Sequence, residues 1–234
     1  MPSFKHRSAD KELLDRDDIP FGDIKKNMQE LNTINSLLGG HAITLHGFKK
    51  LLRDHSSPEE KIKLVEIGCG GGDNLRVLRK YALRCGQQVK LTGIDINPEC
   101  IAYARSLEEN TGIEFICSDY AVGFSEKPDI IFSSLFCHHF SHTQLVAQLK
   151  WMKENSLHGF FINDLHRHPL AYYSIQLLTR LFSKSYLVKN DAPISVLRGF
   201  SRRELKNLLK EAGLERAEIE WKWAFRWLVN YRAS

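Results

Sequence analysis

Leu64-Val65-Glu66-Ile67-Gly68-Cys69-Gly70-Gly71-Gly72 is an apolar run interrupted by one carboxylate and followed by a turn in which four of five residues are glycine. Such a pattern reads as a buried strand that passes through a tight turn into a helix, where missing side chains let a ligand lie against backbone amides. A dinucleotide fingerprint, G-x-G-x-x-G counted from Gly68, would need glycine where Asp73 stands; the pattern present is G-x-G-x-G. Glu66 adds negative charge beside the turn, which suits an ammonium group better than a phosphate.

Outward from this turn, strand-like runs at Leu64–Ile67, Val89–Ile94, Ile113–Cys117, Asp129–Ser133 and Gly159–Ile162 alternate with amphipathic stretches. The alternation predicts a parallel α/β sheet. Leu75, Leu78, Ala82 and Cys85 make one helical stripe, and Leu145, Leu149 and Met152 another. Ser201 and Glu204 form a capping box before Leu205, Leu208, Leu209 and Ala212, and Gly213 stops that helix. Two period-two runs follow, Ala217 to Trp223 and Phe225 to Tyr231, and predict two antiparallel strands. The stretch Lys184 to Gly199 breaks the alternation and reads as a flap or connecting loop.

Ahead of the sheet, Ile24, Met28, Leu31, Ile34 and Leu38 recur at three- and four-residue steps, and Ile43, Phe48 and Leu51 mark a second helix after Gly39 and Gly40. Residues 1–58 are therefore expected to be a helical N-terminal lid segment, residues 59–234 the sheet domain, with the boundary in polar Asp54 to Glu60. At 234 residues, with 43% hydrophobic and 26% charged residues, the chain fits one globular unit rather than a fibrous or disordered class. Its net charge of +5 is spread among acidic residues, so no nucleic-acid partner is expected. No apolar run approaches the roughly 20 residues needed to span a bilayer. Five cysteines without C-x-x-C spacing read as reduced thiols of a cytoplasmic protein.

Two more strand ends carry carboxylates. Gly93-Ile94-Asp95 places one where ribose hydroxyls can donate to it, and Ser118-Asp119-Tyr120 places another that can accept from an adenine amino group. Together with the glycine turn these residues resemble the class I S-adenosylmethionine-dependent methyltransferases, over roughly residues 60 to 230. The resemblance implies a doubly wound, Rossmann-like, seven-stranded, mostly parallel sheet with a C-terminal antiparallel strand, and S-adenosyl-L-methionine as cofactor. It also implies that Glu66, Gly68, Cys69 and Gly70 line the methionine part, Asp95 and Ile96 the ribose and adenine edge, and Asp119 and Tyr120 the adenine. Ser134 and Leu135 would sit by the sulfonium.

Methyl transfer to a hydroxyl calls for a base, and Ser133-Ser134-Leu135-Phe136-Cys137-His138-His139 follows the fourth strand, at the sheet edge where ligands collect. His139 and His138 are the catalytic candidates, because imidazole titrates near neutral pH. Cys137, flanked by apolar residues, reads as a buried hydrophobe. His166, His168, Tyr172, Tyr173 and Arg198 are the candidates for binding the acceptor. For His166 and His168, in the run Asn163 to Pro169, the alternative role is a polar helix start, with Asp164 or His168 as cap and Pro169 in the first turn. The histidines lack the helical spacing of zinc signatures, so no metal is assigned.

The apolar residues of the two covering segments suit a small lipophilic or aromatic acceptor, with O-methylation ahead of C-methylation. The chain also resembles methyltransferases of quinone and polyketide pathways. An RNA or protein methyltransferase is the alternative, but Ser134-Leu135-Phe136-Cys137 stands where an Asn-Pro-Pro-Tyr-like motif would be expected. A non-catalytic cofactor-binding partner is the other, against which Glu66, Asp95 and Asp119 are all retained.

Overall fold

Seven strands carry the alternating apolar residues: β1 (Ile62–Ile67), β2 (Val89–Asp95), β3 (Glu114–Cys117), β4 (Ile130–Ser134), β5 (Gly159–Leu165), β6 (Glu218–Lys222) and β7 (Arg226–Arg232). In the computed structural model, which describes residues 2–16, 18–52, 61–122, 124 and 126–233, they form one sheet in the order β3-β2-β1-β4-β5-β7-β6. The strands from β3 to β5 pair in parallel; β7 runs antiparallel to β5, and β6 antiparallel to β7. The expected seven-stranded sheet with its antiparallel ending is therefore present. The polar stretch read as a domain boundary lies outside the described residues.

Period-two side chains give the sheet two cores. Val65 and Ile67 of β1 and Ile131 of β4 join one hydrophobic cluster with α5 (His142–Asn155) and α8 (Arg202–Glu211). Leu64 and Ile62 of β1 and Phe132 of β4 join the other, under α3 (Asp73–Arg84) and α4 (Pro98–Ser106). α8 begins with the Ser201–Glu204 capping box, and Asn97 caps α4. Leu75, Leu78 and Ala82 of α3 are buried, but Cys85, read on the same stripe, is the exposed C-cap.

The N-terminal helices α1 (Phe21–Leu37) and α2 (Gly40–Leu52) play different parts. Ile43, Phe48 and Leu51 of α2 belong to the second core, and a Cβ on Gly47 would stand 2.6 Å from the Phe161 ring. The buried Asn163 amide of β5 donates to Gly40 O and Thr44 Oγ1, fixing α2 on the sheet. α1 instead crosses above the carboxyl edge of the sheet, opposite α6 (Pro169–Phe182).

Lys184 to Gly199 is a helix, α7 (Tyr186–Arg198), and not a loop. Ser185 caps it, and Leu187, Val188, Val196 and Leu197 are buried at helical spacing. Pro193 within the helix and small polar neighbours hide that period in the sequence. α7 also anchors the chain start, since buried Asp191 accepts from the Leu13 and Leu14 amides at 2.8 and 3.0 Å, and Ser8 N donates to Leu197 O. Residues 4–16 thus form a strap across the carboxyl end of the sheet.

Candidate active site

Strand order reverses between β1 and β4, and open α/β sheets bind ligands at such a switch point. A cavity of about 950 Å³ lies there, floored by the ends of β1, β2 and β4 and roofed by α1, α6 and the turn between β6 and β7. Its volume lies near the upper end of small-ligand sites.

The glycine turn shapes one end. Gly68 and Gly72 have φ of +69° and +77°; a Cβ on Gly68 would enter the Phe136 ring, and one on Gly72 would come 2.7 Å from Phe115. The turn's amides are not free donors as expected. Gly68 N and Cys69 N donate to Ile94 O, Gly70 N to Asp95 Oδ2 at 3.0 Å, and Gly72 N to Cys69 O. No amide nest for a phosphate is left among these four, so the glycines serve close approach and backbone shape. Gly68→Ala is expected to cost ~2 kcal/mol or more, from the left-handed φ and the ring clash, read as a lower urea midpoint.

Glu66 is 1% exposed, and burial pushes its pKa well above the usual carboxylate range, reinforced by Asp73 and Asp95. Asn74 of α3 donates to its Oε1 at 2.8 Å, while Oε2 has no hydrogen-bond partner among the described residues. His41 passes a polar chain onward, bonding Asn74 Oδ1 and Asn32 Oδ1 at 2.9 Å each. Asp95 accepts from Gly70 N and Asn97 N, and Ile96 beside it is exposed and lines the cavity. Asp119 and Tyr120 lie one strand outward and do not line the cavity: Asp119 Oδ1 caps Ala121 N, and Tyr120 packs on Phe136, Phe140 and Trp151.

At the end of β4, Ser134 and Leu135 line the cavity, Leu135 with φ of +54°. His138 and His139 follow, and the strap brings Glu12 to both. Glu12 Oε1 lies 3.6 Å from His138 Nε2, and Oε2 3.9 Å from His139 Nε2. His138 Nδ1 meets buried Asp164 Oδ1 at 2.8 Å, and His139 Nδ1 meets Asp15 Oδ1 at 3.2 Å. Burial opposes charge on His138, but Asp164 and Glu12 outweigh it and raise its pKa to about 9. His139 is the more open of the two, with 25% of its side chain exposed against 3%. Cys137 is buried and its thiol donates to Gln148 Oε1.

The acceptor candidates are not gathered here. Arg198 is a buried strut behind the histidines, donating to His138 O, His139 O and Asp15 Oδ2. His168 caps α6 through Leu170 N and stacks on Phe225 at 5.0 Å. His166 accepts from Trp221 Nε1; burial, with His168 and Arg167 nearby, lowers its pKa to about 4. Tyr172 and Tyr173 contact Phe4 on the far side of α6. None of these five lines the cavity. Residues that the sequence did not assign to the site do: Glu12 and Asp15 from the strap, Asn74 from α3, Ile175 and Leu178 from α6, and Phe225, read as a strand residue, from the hairpin turn. An Asn in the first turn of the helix that follows a strand bearing a carboxylate was a usable signal for Asn74. Glu12, 126 residues from His138, had none.

Residues 64–155 match a family described as methyltransferase domain. No curated protein matches the chain in sequence. Among solved structures, the plantazolicin methyltransferase BpumL in complex with SAH (TM-score 0.63, 20% identity) covers 89% of this chain and 88% of its own. In complex with a monoazolic desmethylPZN analog and SAH, it gives a TM-score of 0.60 at 22% identity, covering 86% and 72%. Magnesium protoporphyrin IX methyltransferase from Synechocystis PCC 6803 with bound SAM gives 0.55 at 12%, covering 87% and 84%. Residues 64–155 thus match a methyltransferase-domain family, and the chain has the fold of these solved methyltransferases.

Proposed function

We propose that the chain transfers a methyl group from S-adenosylmethionine to a hydroxyl of a small lipophilic or aromatic molecule. The observation that carries this is Glu66, a buried carboxylate whose second oxygen has no partner among the described residues and which lines a cavity of about 950 Å³. Such an oxygen fits the ammonium of an amino-acid-bearing cofactor, Asp95 retains acceptor capacity for ribose hydroxyls, and the glycine turn leaves space for close approach. When bound, the cofactor supplies an electrophilic methyl group. Solved structures of the same fold hold SAH or SAM.

The chain's own residues then position the acceptor. Ile24, Met28 and Leu31 of α1, Ile175 and Leu178 of α6, and Phe225 wall the cavity with apolar surface, which suits a lipophilic ring or chain. The polar end of the same cavity is Glu12, His138 and His139, and there we place the acceptor's hydroxyl and the release of its proton. Among the described residues no helix is long and apolar enough to cross a membrane, and all five cysteines are unpaired thiols, which fits a cytoplasmic setting.

Calorimetry with S-adenosylmethionine and SAH, followed by transfer of labelled methyl to a panel of lipophilic phenols, tests this reading. Asp95→Ala is expected to weaken cofactor binding at least ~10-fold, about the value of one charge-assisted hydrogen bond. Absence of any binding by the unaltered protein would sink the proposal.

A further inference from the structure

We propose that Glu12, His138 and His139 form a binding site for one divalent transition-metal ion of the Zn2+ type. The proposal builds on the reading of this cluster as the polar end of the acceptor cavity. The ligand atoms of the three residues lie within 4.8 Å of one another. Two imidazole nitrogens and one carboxylate are a donor set for zinc and its neighbours rather than for magnesium or calcium, which take oxygen.

What separates the cluster from a chance meeting of polar groups is how each imidazole is held. Metal-bound histidine usually donates its other ring N–H to a carboxylate, which fixes the tautomer and turns the free nitrogen to the ion. Both histidines have that arrangement: Nδ1 of His138 against Asp164 at 2.8 Å, Nδ1 of His139 against Asp15 at 3.2 Å, both Nε2 atoms toward Glu12. Glu12 is itself oriented, accepting from Ser195 Oγ at 2.8 Å. Arg198 holds Asp15 at 2.9 Å and both histidine carbonyls. The separations of 3.6 and 3.9 Å from Glu12 to the two Nε2 atoms are close to ligand–ligand distances around an ion with bonds of about 2.0–2.2 Å.

All three residues line the cavity, so a fourth position faces the space assigned to the acceptor. Three protein ligands with an open position is the pattern of catalytic rather than structural zinc. An acceptor hydroxyl held at that position would ionise more readily, as metal-bound water does.

The test uses the full chain, stripped with chelator and titrated with Co2+ as a spectroscopic stand-in for Zn2+. One Co2+ per chain with visible d–d absorption of a four- or five-coordinate site is expected, displaced by Zn2+. Glu12→Gln and His139→Ala should each lose the bands and weaken binding at least ~100-fold, and Asp15→Asn about 10-fold, as for an outer partner. Circular dichroism of the exposed-side variants Asp15→Asn and His139→Ala checks that the fold is kept. No stoichiometric Co2+, or bands that persist unchanged in both Glu12→Gln and His139→Ala, overturns the site. SAH calorimetry on the same samples keeps the two proposals apart: an ion bound by protein that takes no SAH supports the metal site while removing the methyl-transfer reading.

Discussion

Asp164→Ala is expected to lower the free energy of unfolding by about 3–5 kcal/mol, the cost of stripping one partner from a buried charged network. Asp164 sits at 1% exposure at the end of β5, and its two oxygens serve four groups. His138 Nδ1 at 2.8 Å and the Leu165 amide at 2.7 Å meet Oδ1, while the Phe136 and His138 amides meet Oδ2 at 3.3 Å. Buried Arg226 depends on the same carboxylate for opposing charge, and its Nη1 has no hydrogen-bond partner among the described residues. Alanine would leave both cations and three backbone donors uncompensated. Asn keeps one acceptor and the shape, so Asp164→Asn should lose roughly half as much. Urea denaturation of both variants against the parent reads this directly, and an unchanged midpoint for Asp164→Ala would remove the residue from the account.

Glu66→Gln should move stability and cofactor affinity in opposite directions. Burial raises the folded-state pKa of Glu66, so the folded chain holds this proton more tightly than the unfolded chain does. Its contribution is therefore fully present below the ordinary carboxylate pKa and is lost as pH rises toward the raised value. Neutral glutamine removes that loss, so the variant's melting temperature at pH 7 is expected to rise. The same change replaces an acceptor oxygen by a donor amide, and SAH affinity should fall about 30-fold, near 2 kcal/mol. The parent's advantage in melting temperature should shift toward acid and the variant's toward alkaline pH. A variant that is less stable at pH 7 with full affinity would contradict the assigned role.

The sheet was legible because its signals are local. Period-two runs, glycines at Gly68 to Gly72, and caps at Asn97 and Ser201 each act within a few residues. α7 was not, because Pro193 and Asp191 look like loop residues until Asp191 is seen accepting from Leu13 and Leu14. Asp95, Glu66 and the two histidines could be placed because strand ends converge at one edge in any doubly wound sheet. The acceptor candidates on α6 were misplaced for a physical reason: a helix start after a strand end lies near the cleft, but which face turns inward depends on packing against α1, α7 and the β6–β7 turn. Tyr172 and Tyr173 turn toward Phe4, while Ile175 and Leu178 turn to the cavity.

The strap divides the inheritance of this site. The stretch that matches the methyltransferase-domain family, residues 64–155, contains His138 and His139 but none of Glu12, Asp15, Asp164 or Arg198, which surround those histidines. If the proposed function holds, chains identical through that stretch would differ in chemistry through strap residues 4–16, with the sheet and glycine turn untouched. On the proposed reading, exchange of the strap alone would change the carboxylates that face His138 and His139.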